Sequence, residues 1–180
     1  MTETTTLDRR LTVRVNTVWK KYAAAGFPRR AQIDPRDFGS DWAHCLMIDL
    51  DPVIARSRFA HVGAALRDPT WPTFDRQSVS ECLEGTLLEL LARHIPRVVG
   101  KRKPASFAGS AQHDDGEILY RTILLPLSEN EDNVDGILAA IAYREVSVDD
   151  ELRTPEHQTD GMTAPTALLS RTPRLGGASR

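Results

Sequence analysis

The chain has 180 residues, with 23 lysines and arginines against 25 aspartates and glutamates, a formal net charge of -2 and a pI near 6.2. That length suits one domain with extensions, and so balanced a charge gives no electrostatic ground for a nucleic-acid partner. Cys45 and Cys82 are far apart, which argues against a disulfide framework, and no leader-like or membrane-spanning apolar run appears; the expected setting is a reducing cytoplasm without a membrane partner.

Residues 1–6 are polar and threonine-rich and are expected to be disordered. From 7 to 25, Leu7, Leu11, Val15, Val18, Trp19 and Tyr22 recur at helical spacing, and Gly26 and Pro28 stop the pattern. This amphipathic helix and its connection fill 7–30. Its apolar stripe needs a surface, either its own sheet or a second copy of the chain. For the second copy, Leu11, Val15, Trp19 and Tyr22 are the candidate interface residues.

The main domain is expected over 31–148. Pro28 and Pro35 bracket an extended connection, and Arg36–Trp42 suits a short helical turn. Two strands follow at His44–Leu50 and Arg58–Leu66, joined through Asp51 and Pro52. Arg67–Gln77, with Pro69, Trp71 and Pro72, is a loop or broken turn. Ser80–Val99 has a leucine-rich helical period that Pro96 interrupts, predicting a kink or two segments, with Gly100 as the stop. A strand runs from Pro104 to Gln112, and His113–Asp114–Asp115–Gly116 turns it into a hairpin formed by Ile118–Leu127 and Val134–Val146. On the first arm Ile118, Tyr120 and Leu124 alternate with Leu119, Ile123, Leu125 and Leu127, so both faces of the sheet need cover. Residues 149–180 are polar and are expected to form a flexible, disordered tail.

The element order predicts an α+β fold: a five-stranded antiparallel sheet, helices on one face, and a leading amphipathic helix. A cavity between the sheet and the Ser80–Val99 helices would be lined by Leu46, Ile48, Phe59, Leu87, Leu91 and Leu124, with His94 nearby. No Walker loop, dinucleotide glycine pattern, HExxH or GxSxG motif is present. His113–Asp114–Asp115–Gly116–Glu117 has neither calcium-loop nor zinc spacing, so the expectation is a turn and no metal site. Arg97, Lys101, Arg102 and Lys103, with Arg29 and Arg30, form a basic patch whose simplest account is a solvated helix end.

The wording resembles a known family more closely than the element order alone. Gly85–Thr86–Leu87–Leu88, Ile95–Pro96–Arg97–Val98–Val99, Pro104–Ala105–Ser106–Phe107–Ala108–Gly109, the run YRTILLPLS over 120–128, and Asp135–Gly136–Ile137–Leu138–Ala139–Ala140 resemble small bacterial single-PAS proteins. The resemblance covers Trp19–Glu145 and departs from the family pattern between Asp68 and Ser80. It implies a non-catalytic sensory or interaction module; the expected role is in bacterial signalling, binding a small ligand, a partner protein, or both, with the leading helix pointing to a homodimer. His94 lies on the helix that haem-binding PAS domains use, so haem ligation is an alternative; otherwise no cofactor is expected. The asparagine–cysteine–arginine motif of light-sensing relatives is absent. Two further alternatives are a small cone-shaped α+β enzyme, which requires an inward Asp–His pair, and a purely structural dimerisation module.

Overall fold

A computed structural model describes residues 9–67, 77–82, 87–113 and 116–147. The expectations for residues 1–6, for the helix start at 7–8, for most of the 67–77 loop, for residues 83–86 of the leucine-rich stretch, for Asp114–Asp115 and for the 149–180 tail lie outside the described residues.

The described elements are α1 (Arg9–Tyr22), β1 (Cys45–Asp49), β2 (Arg58–Val62), α2 (Leu87–Ala92), α3 (Ile95–Lys101), β3 (Ala105–His113), β4 (Gly116–Leu127) and β5 (Gly136–Ser147), with short 3-10 turns between them. The strands form one antiparallel sheet in the order β2–β1–β5–β4–β3. β3, β4 and β5 are a meander, running from Ala105↔Leu124 to His113↔Gly116 and from Gly116↔Ser147 to Leu127↔Gly136. β1 then pairs with the last strand, from Cys45↔Ala140 to Asp49↔Gly136. The link between β4 and β5 is a folded polar loop: the buried Ser128 hydroxyl donates to Asn133 O (2.5 Å), and Glu129 N donates to an Asp135 carboxylate oxygen (2.9 Å).

Alternation divides the sheet's apolar residues between two faces. Leu46, Ile48, Phe59, Ile118, Tyr120, Leu124, Ile137 and Ile141 lie on the inner face and join Leu87, Leu88, Leu91, Ile95 and Val98 of α2 and α3 in one buried cluster. The intervening residues, among them Met47, Ile123, Leu125, Leu127 and Leu138, lie on the outer face and meet Leu11, Val15 and Trp19 of α1. Thus α1 covers its own sheet, while α2 and α3 gather on the opposite face. Trp19 anchors it through its ring and through Nε1, which donates to Pro126 O at 3.2 Å. An Arg14–Asp41 pair, with both contacts at 2.7 Å, ties the helix to the 3-10 segment Pro35–His44.

The leucine-rich stretch divides where proline predicts: α2 ends at Ala92 and α3 restarts at Ile95, with Pro96 in its first turn, where no N–H is needed. One strand is shorter than its composition predicts. The apolar text runs to Leu66, yet β2 stops at Val62 and Ala64–Leu66 forms a 3-10 turn. Gly63 causes the stop: its N–H donates to Cys45 O (2.7 Å), bringing the two backbones into contact, and the chain turns away there. Among the described residues no helix is long and apolar enough to cross a membrane. The strand order and the helix layer make this an α+β fold of PAS-like layout.

Candidate functional site

Six of the seven residues expected around an inner cavity come together. Leu46 and Ile48 from β1, Phe59 from β2, Leu124 from β4, and Leu87 and Leu91 from α2 are almost wholly buried in the inner cluster. The i, i+4 spacing of Leu87 and Leu91 puts both on the face of α2 that meets the sheet. Tyr120 lies over Gly109, where a Cβ would stand 3.0 Å from the tyrosine oxygen. Thr122, fully buried, donates its hydroxyl proton to Ala140 O at 3.0 Å. The buried side chains of that cluster are apolar apart from the Tyr120 hydroxyl. Its chemistry is that of a close-packed apolar layer, in which dispersion and shape are the forces at work.

His94 stands apart from the six. It occupies the break between α2 and α3, half-buried, with its ring stacked on Phe107 of β3 at 3.8 Å and 8°. The Arg97 guanidinium lies 5.5 Å from the centre of the same Phe107 ring. Desolvation lowers the His94 pKa first, and the positive charges of Arg97 and Arg93 lower it further. Of two other histidines, His61 stacks on Trp42 at 4.6 Å, and His44 ends the Pro35–His44 segment.

The two thiols are subdued. Burial, then the Asp41 carboxylate, push Cys45 up to about 12; burial, then Glu89 and Glu81, push Cys82 up to about 11. Both are free. Among the described residues no three His, Cys, Asp or Glu side chains gather into a metal-holding set. The basic patch divides between local partners: Arg102 lies over Phe27 (5.2 Å) and donates to Glu131 O, while Arg30 pairs with Asp49.

The expected interface residues Leu11, Val15 and Trp19 are buried on the chain's own outer sheet face. Tyr22, at the end of α1, donates its hydroxyl proton to Asp37 and accepts from Asp34 N (3.2 Å).

Sequence reasoning missed an open cleft of about 370 Å³ on the outer side, lined by Arg30, Ile33, Pro35, Trp42, Met47 and Glu129 among others. Its walls are the proline-bracketed connection and the acidic β4–β5 loop, joined by Arg30 N to Glu129 Oε1 (3.1 Å) and Ser128 N to Pro28 O (3.1 Å). Pairing a linker with a turn 99 residues away leaves no mark in spacing or periodicity.

No protein-family model matches the chain, and no curated protein matches it. Among solved structures it is similar to one described as "Structure of an RNA-binding Light-Oxygen-Voltage Receptor", at 14% identity and a TM-score of 0.36 over 61% of this chain and 33% of that one. This chain therefore spans about a third of that receptor's length. The PAS-like assignment rests on the chain's own strand order and layers, and it is an assignment of fold.

Proposed function

We propose that the chain is a non-catalytic, PAS-like sensory and interaction module of bacterial signalling, of the small single-PAS kind its wording resembles. In this reading a small apolar ligand settles between the inner sheet face and α2–α3, and α1 on the outer face passes its presence to a partner protein. One observation carries the reading: β4 and β5 serve both layers at once. Leu124 and Ile137 face the inner cluster, and their chain neighbours Leu125 and Leu138 support α1. A close-packed sheet transmits a displacement, so a ligand that spreads the inner layer shifts the surface on which α1 rests.

Native mass spectrometry of the freshly purified full chain, paired with hydrogen exchange, tests this. A retained small-molecule mass, with slower exchange in α1 than in protein stripped of it, supports the proposal; a haem mass would bring in His94. The coupling can also be probed without a ligand, because Leu91→Phe presses on the inner face from α2. If that variant alters exchange in α2 while α1 stays at its wild-type rate, and nothing is retained, the proposal fails.

A further inference from the structure

An edge strand presents a row of N–H and C=O groups that another strand can take up. The two edges of this sheet are handled differently. β2 is short, carries Arg58, and is roofed by residues 77–79: Phe59 N donates to Gln77 O (3.1 Å), Val79 N donates to Ser57 O (2.7 Å), and Arg58 bridges to Ser78. β3 has nine residues, and among the described residues its ladder partner is β4. Its text, ASFAGSAQH, contains no lysine, acid or proline, and its register with β4 runs from Ala105 to His113 without a bulge. Lysine, proline, bulges and short length are the devices that ordinarily keep edges apart. The outer side of β3 is open as well: Ser106, Ala108 and Ser110 are exposed, and the outer cluster that α1 joins takes its sheet residues from β1, β4 and β5.

We propose that β3 is where two copies of this chain join, antiparallel and across a two-fold axis, so that each five-stranded sheet continues into the other. An antiparallel pair made from one sequence is closed by its own two-fold, and the assembly stops at two. The charges at the strand's ends choose this orientation. Exposed Lys101 and Lys103 precede β3, whereas Glu117 and Glu145 lie on β4 and β5 behind its far end, where Gln112 pairs with Glu117 and Ile118 with Glu145. The antiparallel arrangement sets the cationic beginning of one strand beside the acidic end of the other; a parallel one sets like beside like. Among the described side chains of β3 the exposed ones are the small Ser106, Ala108 and Ser110, so main-chain hydrogen bonds carry the contact and the dimer depends on concentration.

Sedimentation velocity of the full chain over a concentration series tests the proposal. The expected result is a monomer–dimer equilibrium that Ala108→Lys and Ser110→Lys each weaken by about tenfold or more, since each variant sets like charges together across the two-fold. Val13→Lys, on the exposed face of α1, leaves it unchanged. A chain that is monomeric throughout, or a dimer that both β3 variants leave intact, overturns the proposal. Should the lysine variants lose their fold by circular dichroism, single cysteines at positions 106, 108 and 110 in a Cys82→Ser background decide it. Oxidative cross-linking that is efficient within β3 and absent from Val13→Cys supports the two-fold pairing; the reverse pattern, or none, refutes it.

Discussion

Gly63 has less room than any other glycine described. A Cβ there would meet Ala43 O at 2.3 Å and Cys45 O at 2.7 Å, and both are backbone atoms with nowhere to move. Gly63→Ala is expected to destabilise the fold by about 2–3 kcal/mol, measured as a drop in the urea midpoint; a shift within about 0.5 kcal/mol would contradict the close approach. His94 gives a pH effect of definite sign. Its folded pKa lies below the ordinary value of 6.5, so the unfolded chain takes up the proton more readily. Stability is therefore lost as pH falls through that ordinary value toward the lower folded one. His94→Gln should flatten the wild-type decline across this window, and parallel curves would show that the Phe107 stack leaves the imidazole unperturbed. Cys45, pushed up to about 12, stays a thiol in the folded chain. Iodoacetamide at about pH 8 should label it after unfolding and leave it untouched before. These residue-scale properties were faint in the sequence. Cys45 in an apolar strand announces its burial, but the contact that makes Gly63 necessary joins two turns, and no pattern of residue types records it.

Among the elements, α1 is the most separable, because the sheet stands between its cluster and the inner one. Trp19→Ala removes a nearly buried indole and should cost about 3–5 kcal/mol in chemical denaturation. Trp19→Phe keeps an aromatic ring and loses the bond to Pro126 O, for about 1–2 kcal/mol. Equal losses would mean that the indole N–H, and not the ring, holds the helix. The helix was legible as such from the stripe of Leu11, Val15 and Trp19, because a 3.6-residue period is a property of the local text. Which surface it covers was not, since a stripe is equally apolar against any partner. The meander was legible for the same reason that α1 was: alternation at Ile118–Leu127 assigns each side chain to a face without reference to distant residues. The outer cleft and the end of β2 depend on contacts between segments remote in sequence, and both escaped.

For the molecule as a whole, two apolar layers back to back make the sheet a shared wall. Deleting residues 1–25 uncovers Met47, Ile123, Leu125, Leu127 and Leu138 together, a patch large enough to bind ANS and to drive association. A truncated chain that remains as soluble and as dye-free as the full one would show that the outer layer closes by other means. The adjacency of β1 and β5 has a consequence of another kind. The middle of the sheet is a seam between strands some ninety residues apart in the chain, Cys45 lying against Ala140. Pairing β1 with the last strand requires a long loop closure, so that step is expected to slow folding and the two halves of the sheet are expected to melt together.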